Sequence, residues 1–408
     1  MKKLMILGGS RYILPVIEAA HKLGVYVITA DYLPKNVAHK YSDEYVNVSI
    51  VDKEATLKAA MVRNIDGIMS FACDPGVVTC AYVADKLGLP SAGPYESIKM
   101  LQNKGLFRTF LRENGFNVPI SKAYHNKEDA FEDADIFHWP VIVKPTDSAG
   151  SKGVSKVDKK DKLDLAIQHA INHSLTKEFI IEDYLEQTGF SSDCDSFSID
   201  GKMVLFGFNS QRFDSQCENP YTPSAYSWPT TISSNNLKIL EKEIQRAITL
   251  LGLRTSVFNI EVRECKDGKP YIMELTPRGG GNRLSEMMRV CTGVDMITNS
   301  VKAALGMPLD SIEQKPFLFN LAEIILHSRY PGIFDSLSID PSLEDKVIEK
   351  DLWIESGTPV GGFSGANEAI GTLVLKFDSQ DELNEVLLNQ EKYIKVILRW
   401  KKSVVILN

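Results

Sequence analysis

The stretch PVIVKPTDSAGSKGV, residues 140–154, joins an apolar segment to a loop of small residues and places Lys144 near the junction. The apolar residues predict a buried strand. From Ser148 to Gly153 only Lys152 carries a long side chain, so the backbone N–H groups there can approach an anion closely. A lysine in an apolar strand is costly to bury unless it is paired or holds an anion. The stretch therefore indicates a phosphate site, with a plain hairpin on a solvent-facing edge strand as the alternative.

A second stretch, FNIEVRECKDGKPYIMELTPRGGGNR, residues 258–283, predicts two strands joined by a Lys-Asp-Gly-Lys turn. Glu261 lies in the first strand and Glu274 in the second. If the register places both on one face, their carboxylates can share a cation such as Mg2+ with phosphate oxygens. Ion pairs with Arg263 or Arg278 are the alternative interpretation of both glutamates. Arg278, next to the glycines, can hold a carboxylate or a developing phosphoryl charge.

The composition is that of a globular protein with more than one core. The chain has 408 residues, of which 44% are hydrophobic and 24% charged. Lysine and arginine total 46 against 53 acidic residues, so no global field attracts nucleic acid, and any anionic ligand must be bound locally. The six cysteines lack metal-like spacing and no stretch reaches the length of a membrane span. We expect a reduced, cytoplasmic protein without nucleic-acid or membrane partners.

The pattern of elements predicts three domains. Strands and helices alternate through residues 1–95, which is typical of a doubly wound parallel α/β sheet. Residues 96–310 contain strand-rich α+β modules, including a smaller lid part at about 113–185. Residues 311–408 are predicted as a small closing domain. Residues 97–115, SIKMLQNKGLFRTFLRENG, are predicted to be helical.

Three single features have more than one interpretation. The opening LMILGGS followed by Asp31 imitates a nicotinamide-binding fold, but the full GxGxxG pattern is absent, which disfavours a dehydrogenase. Asp74 follows a predicted strand and can contact a substrate amino group or cap a helix, and the helix cap is favoured. Arg212 can contact an anion, although a solvent-facing side chain is favoured.

Together these features resemble the ATP-grasp superfamily of carboxylate-amine ligases, and the resemblance extends from the N-terminus to about residue 310. Its members look like two α+β halves that grip ATP, preceded by an α/β domain that helps to bind the substrate. The resemblance implies a mixed α/β and α+β fold class. We expect an N-terminal doubly wound parallel sheet, a two-part ATP-grasp fold and a small C-terminal α+β domain.

The resemblance also implies roles for individual residues around the nucleotide. Lys104 and Lys144 correspond to two lysines that bind ATP phosphates, and Arg278 acts with Lys144 on the reacting groups. Asp193 is near an acidic position that contacts ribose, with Asp195 as its alternative. The other implied nucleotide-binding residues are Ser148, Ala149, Gly150, Ser151, Lys152 and Gly153 in a flexible loop and Glu182, Tyr184 and Leu185 at a hinge.

The metal site implied by the resemblance departs from the family pattern at one position. Glu261 and Glu274 match the magnesium carboxylates. Thr276 stands where an asparagine ligand is usual. Coordination at that position is therefore expected to be weaker, water-mediated or moved to Asn282.

The resemblance implies an enzyme that uses ATP to convert a carboxylate into an acylphosphate, which an amine then attacks with release of ADP and phosphate. The implied cofactors are ATP and Mg2+, with Mn2+ as the alternative metal, and the implied partners are a small-molecule carboxylate and amine. A homodimer is one open oligomeric state. The alternative functions are a phosphoribosylglycinamide synthetase of purine biosynthesis and a carbamoyl-phosphate-synthetase-like enzyme. A non-catalytic nucleotide-binding protein would keep Lys104 and Lys144 but lose the metal carboxylates, so their presence favours an enzyme.

Overall fold

The computed structural model describes residues 1–399, and the chain divides into two compact units. The first unit contains Met1–Phe208 and Ile232–Lys315. The second contains Asn209–Thr231 together with the chain from Pro316 onward. Residues 209–231 therefore interrupt the first unit in sequence. They pack with C-terminal residues in the second unit. In the described part of the chain, no helix is both long enough and apolar enough to cross a membrane.

The first unit begins with a parallel sheet of four strands in the order β3-β2-β1-β4. Its central strand is fully buried from Leu4 to Leu7, as continuous apolar runs in parallel sheets are. The predicted doubly wound sheet is thus confirmed. The elements are β1 (Lys3–Leu7), α1 (Leu14–Lys22), β2 (Tyr26–Asp31), β3 (Glu44–Asn47), α2 (Lys53–Arg63), β4 (Gly67–Ser70) and α3 (Val77–Leu87).

A second, antiparallel sheet in this unit has the strand order β5-β8-β6-β7. The helical stretch predicted over residues 97–115 is confirmed, and it consists of two helices because the chain interrupts it at Asn103. There the backbone is extended, and the Asn103 side chain accepts a hydrogen bond from the N–H of Leu106, which caps a new helix starting at Lys104. The elements are α4 (Tyr95–Leu101), α5 (Lys104–Glu113), β5 (Ser121–Tyr124), α6 (Lys127–Glu132), β6 (Val141–Pro145), β7 (Ser155–Val157), α7 (Leu163–Asn172) and β8 (Phe179–Asp183).

The third sheet of the first unit is antiparallel, with the order β10-β9-β13-β14. Apolar residues of β13, such as Phe258 and Ile260, share a core with α8. Because side chains alternate along a strand, Asn259 and Glu261 point to the opposite face. The predicted hairpin about the Lys-Asp-Gly-Lys turn is confirmed. The elements are β9 (Ser192–Ile199), β10 (Lys202–Leu205), α8 (Ser234–Leu250), β13 (Ser256–Glu264), β14 (Pro270–Thr276), α9 (Leu284–Thr292) and α10 (Met296–Ala304).

The second unit contains a five-stranded sheet, β11-β12-β15-β19-β17, and a three-stranded sheet, β18-β16-β20. Arg212 was expected to face solvent, but this is wrong because β11 belongs to the larger sheet. The guanidinium is buried and donates to Ser227 and to Asn384. The elements are β11 (Ser210–Phe213), β12 (Pro223–Trp228), β15 (Asn320–Leu326), β16 (Gly332–Ile339), β17 (Val347–Leu352), β18 (Pro359–Val360), β19 (Gly371–Phe377), α11 (Gln380–Leu388), α12 (Gln390–Tyr393) and β20 (Ile394–Arg399).

Candidate active site

Three acidic side chains lie side by side across strands β9, β13 and β14. Glu261 is directly opposite Glu274 on one neighbouring strand and Asp193 on the other. Directly opposed residues share a face, with their Cβ atoms about 5 Å apart. Burial and the charge of Glu261 raise the pKa of Asp193 to about 7. We call Asp193, Glu261 and Glu274 the carboxylate row. Its crowded negative charge is what a divalent cation with oxygen ligands would relieve.

A second row lies two residues along the same strands and contains Asp195, Asn259 and Thr276. The Asn259 Nδ2 donates to Asp193 Oδ1 at 2.8 Å and to Asp195 Oδ1 at 3.3 Å. Thr276 is fully buried, and its hydroxyl accepts a hydrogen bond from Gln102 at 3.4 Å. Asn259 therefore brings an amide beside the carboxylate row, on the strand next to Thr276. It was not predicted from the sequence, although its place two residues before Glu261 puts it on the same face.

The Asp195 side chain is hydrogen-bonded to the glycine-rich turn after β14 and to the helix that follows it. It is fully buried, and its two oxygens accept hydrogen bonds from the Gly280 N–H at 2.7 Å and the Ser285 hydroxyl at 2.5 Å. A Cβ on Gly280 would lie only 2.9 Å from Asp195 Oδ1, so this approach requires glycine. Of the two acids considered for ribose, Asp193 is the half-buried one. Its ribose contact stays a prediction.

A buried ion cluster joins Lys144 on β6, Glu182 on β8 and Arg108 on α5. Lys144 Nζ contacts Glu182 Oε1, and Arg108 Nε lies 2.9 Å from Glu182 Oε2. Burial alone would raise the pKa of Glu182, but the charges of Arg108 and Lys144 outweigh it and lower that pKa to about 2. The pKa of Lys144 is lowered chiefly by burial and further by Arg108 and Lys104. Arg108 was not predicted from the sequence, and its only signal is a charge among the apolar residues of α5.

A β-bulge connects the buried ion cluster to the carboxylate row. The pairing register of β13 and β14 shifts just after Glu261 and Glu274, so Met273 has no partner on β13. The carbonyl of Met273 instead accepts a hydrogen bond from Arg108 Nη1 at 2.8 Å. A bulge releases backbone groups from the ladder in this way. Helix α5 is thereby fastened to the strand residue next to Glu274.

The predicted phosphate loop is the turn of the β6–β7 hairpin. Lys104 Nζ donates to the carbonyl of Ser148 at 2.8 Å and lies 3.8 Å from Glu274 Oε1. Gly153 has φ +76°, and a Cβ there would lie 2.8 Å from His173 Cβ, so the loop's return requires glycine. Lys104 therefore contacts both the loop and the carboxylate row. Within the loop, Ser148, Ala149 and Ser151 are half-buried, whereas Gly150 and Lys152 are exposed.

The predicted hinge residues lie at the end of β8 and just after it. The Tyr184 N–H donates to the carbonyl of Pro140 at 3.1 Å, and Lys156 Nζ lies 4.2 Å from the centre of the Tyr184 ring. Leu185 is half-buried. The Glu182 side chain is held in the buried ion cluster. The adenine contacts of these residues stay predictions.

Arg278 follows β14 and is paired with Asp74, which follows the N-terminal sheet. Its Nε and Nη2 donate to the Asp74 carboxylate at 2.7 to 2.9 Å, and its Nη1 donates to the Gly279 carbonyl at 2.9 Å. Burial lowers the pKa of Arg278, but the Asp74 charge outweighs it and raises that pKa. The predicted helix cap at Asp74 is wrong, because Gly76 caps α3 and the carboxylate serves Arg278. Asn282 lies in the following turn at φ +51°, and its role as a ligand stays a prediction.

Comparison with known proteins identifies the family of one domain of the chain. Residues 137–286 match the ATP-grasp domain family, so the chain contains an ATP-grasp domain, and the predicted resemblance to the ATP-grasp superfamily is confirmed for these residues. The carbamoyl phosphate synthase large chain of Pseudothermotoga lettingae is 25% identical over 291 residues, which cover 71% of this chain and 26% of that relative. The chain thus spans about a quarter of that relative's length.

Solved structures resemble the chain over nearly its whole length. Phosphoribosylglycinamide synthetase from Anaerococcus prevotii aligns with a TM-score of 0.76 and 21% identity, covering 98% of this chain and 100% of that one. L-amino acid ligase from Bacillus licheniformis aligns with a TM-score of 0.78 and 20% identity, covering 98% and 99%. These likenesses confirm the predicted fold class.

Proposed function

We propose that the protein is an ATP-dependent ligase that converts a substrate carboxylate into an acylphosphate and joins it to an amine, releasing ADP and phosphate. The observation that carries the proposal is the position of Lys104, which contacts the Ser148 carbonyl and lies 3.8 Å from Glu274. One ammonium group thus connects a loop suited to phosphates with carboxylates suited to a hard cation. A nucleoside triphosphate with its metal ion needs both kinds of group.

The donors beside Lys104 fit Mg2+, because the carboxylate row and the neighbouring Asn259 offer oxygen ligands. We assign Glu261 and Glu274 as the carboxylate ligands. Asn259 is assigned as the amide ligand, because Thr276 stands where an asparagine ligand is usual. When bound, the ion would neutralise charge between the β- and γ-phosphate oxygens. Mn2+ accepts the same donors.

The chain's own groups position the phosphates and shield their charge. Lys144 lies within the electrostatic reach of Arg108 and Lys104, so an incoming phosphate anion would relieve the repulsion among these cations. The backbone N–H groups of the loop at 148–153 add uncharged donors. Closure of this loop would exclude water, which would otherwise hydrolyse an acylphosphate.

Arg278 is the proposed contact for the substrate carboxylate or the developing phosphoryl charge. Asp74 holds both the Nε and Nη2 edges of its guanidinium, so Asp74 positions Arg278 and substrate must compete with it. We also propose a role for each of the three predicted domains. Residues 1–95 contribute to substrate binding, 96–310 grip ATP with a lid at about 113–185, and 311–408 form a separate closing part.

The test is ADP release from ATP and Mg2+ across a panel of acids and amines. The panel contains single amino acids and their pairs, glycine with phosphoribosylamine, and bicarbonate with ammonia. Hydroxylamine added with each acid alone traps an acylphosphate as a hydroxamate. We expect acid-dependent ADP release with equal hydroxamate, lost in Lys144→Ala and kept in Lys266→Ala, an exposed lysine paired with Glu186. ADP release without hydroxamate, or unchanged in Lys144→Ala, would contradict the proposal.

A further inference from the structure

Three side chains with different donor atoms converge in the second compact unit. They are Asp214, Cys217 and His327, which offer a carboxylate oxygen, a sulfur and a ring nitrogen within 4.8 Å of one another. Among residues 1–399, this is the one group of three or more acidic, cysteine or histidine side chains with such spacing. All three are mostly or wholly shielded from solvent. Their convergence is independent of the proposed ligase chemistry.

Local backbone structure places the first two donors. Asp214 and Cys217 belong to one turn that follows β11, in which the Cys217 N–H donates to the Asp214 carbonyl at 3.1 Å. The Gln216 N–H donates to Asp214 Oδ1 at 3.0 Å and fixes the carboxylate. The other oxygen, Oδ2, lies 3.4 Å from His327 Nε2. His327 immediately follows β15, so a turn and a strand end hold the group together.

The hydrogen bonds of His327 define which nitrogen can bind a cation. Its Nδ1 lies 2.6 Å from the Ile325 carbonyl, which can only accept, so Nδ1 carries the proton. Nε2 is the ring nitrogen that faces the Asp214 carboxylate, so one cation could contact both atoms. Donation from the other ring nitrogen to a backbone carbonyl is also how proteins orient metal-binding histidines, and stacking on Phe363 at 4.1 Å fixes the ring plane.

The donor set identifies the metal class. Nitrogen, oxygen and sulfur ligands together suit Zn2+, whose tetrahedral bonds of about 2.0 to 2.3 Å separate its ligand atoms by roughly 3.3 to 3.8 Å. The 3.4 Å between His327 Nε2 and Asp214 Oδ2 already has that separation. Cys217 needs only a small side-chain movement from its place within 4.8 Å. The Asp214 side chain is 14% exposed, which admits water as a fourth ligand.

Arg329 is a neighbouring cation that could oppose a metal ion, and its second carboxylate partner offsets its charge. Its Nε donates to Asp214 Oδ2 at 2.6 Å, while its Nη1 pairs with Glu391. The Glu391 carboxylate balances the guanidinium, and a zinc ion is balanced by the carboxylate of Asp214 and the thiolate of Cys217. Arg329 therefore orients the Asp214 carboxylate without leaving excess positive charge at the site.

We propose that Asp214, Cys217 and His327 bind one Zn2+, with water as the fourth ligand. The ion would cross-link the segment Asn209–Thr231 to the end of β15 within the second unit. Structural zinc contributes directly to folding stability.

The experiment is metal analysis of full-length protein that has been stripped with a chelator, reloaded with zinc chloride and desalted. We expect about one zinc per chain in the wild type and less than about a tenth in Cys217→Ser and His327→Asn. Cys265→Ser, which changes a buried cysteine of the first unit, is the matched control and keeps the metal. Zinc should raise the melting temperature of the wild type and of this control only. Circular dichroism checks that each variant is folded.

Cobalt loading of the wild type tests the site without any variant. Co2+ bound by a cysteine thiolate shows a near-ultraviolet charge-transfer absorption, which we expect here and expect added Zn2+ to abolish. Far less than one zinc per wild-type chain, equal zinc in Cys217→Ser and the wild type, or no thiolate-to-cobalt band would each overturn the proposal.

Discussion

The buried ion cluster and the carboxylate row are built from similar side chains but have opposite charge balances. In the cluster, Glu182 contacts two cations, and its pKa falls to about 2. In the row, Asp193 is directly opposite Glu261, and its pKa rises to about 7. Removing the one carboxylate of the cluster leaves two cations buried without a partner, whereas removing an acid from the row relieves crowding among like charges. The two groups are therefore expected to respond differently to the loss of a carboxylate.

The largest effect is expected where the carboxylate row loses a proposed metal ligand. Glu274→Gln keeps the size of the side chain but removes one proposed ligand of Mg2+. We expect kcat for substrate-dependent ADP release to fall roughly 10³-fold, equivalent to about 4 kcal/mol of transition-state stabilisation. Glu186→Gln, which changes an exposed glutamate, is the control and should keep its activity. Wild-type kcat in Glu274→Gln would remove Glu274 from the metal site.

Loss of the carboxylate in the buried ion cluster should lower stability. Glu182→Gln leaves Lys144 and Arg108 buried without a carboxylate, and we expect the free energy of unfolding to fall by about 3 kcal/mol. Urea denaturation measures this change. The double variant Glu182→Gln with Lys144→Met should recover part of the loss, since one unpaired cation is gone. If Glu182→Gln unfolds at the wild-type urea concentration, the cluster does not stabilise the fold.

The amide beside the row should have a smaller effect on metal affinity. Asn259→Ala removes the side chain that donates to Asp193 and that we assign to the metal. We expect the Mg2+ concentration for half-maximal activity to rise about 10-fold, with kcat at saturating Mg2+ little changed. A titration of ADP release against Mg2+ measures this. An unchanged half-maximal concentration would point to Thr276 or Asn282 as the third ligand.

The smallest expected effect is a gain in the free energy of unfolding, whereas Glu182→Gln lowers it. The folded-state pKa of Asp193 is raised, so its contribution to stability is full below about pH 4 and is lost as the pH rises through about 7. In metal-free wild type, the free energy of unfolding should therefore fall between pH 5.5 and 8 through this group. Asp193→Asn should remove that fall and add roughly 1 to 2 kcal/mol at pH 8, while weakening Mg2+ binding. The stability of both proteins is measured by urea denaturation in EDTA. If wild type and Asp193→Asn have equal pH profiles, the pKa of Asp193 is not raised.

Much of the fold and part of the site follow from local patterns. The hairpin that carries Glu261 and Glu274 follows from two apolar strands about a short turn, but their direct opposition does not, because it requires the bulge at Met273. The parallel N-terminal sheet likewise follows from alternating strands and helices.

What the sequence did not indicate depends on long-range contacts. Arg278 meets Asp74 across 204 residues, and Arg108 meets Glu182 across 74, so neither pair leaves a local pattern. The division of the helical stretch at Asn103 depends on a cap made by a single side chain, which leaves the apolar pattern unchanged. The assignment of Asn209–Thr231 to the second unit likewise depends on its strand pairing with β15.

The bulge at Met273 also bears on how this hairpin can vary during evolution. It lies between the carboxylate row and the Lys-Asp-Gly-Lys turn, and the pairing on its two sides follows different registers. Gain or loss of one residue toward the turn can therefore be taken up at the bulge by adjusting the outer register. The order of Asp193, Glu261 and Glu274 would be preserved through such a change. The inner register of the hairpin is thus set separately from the outer one, and the inner register alone orders the carboxylates.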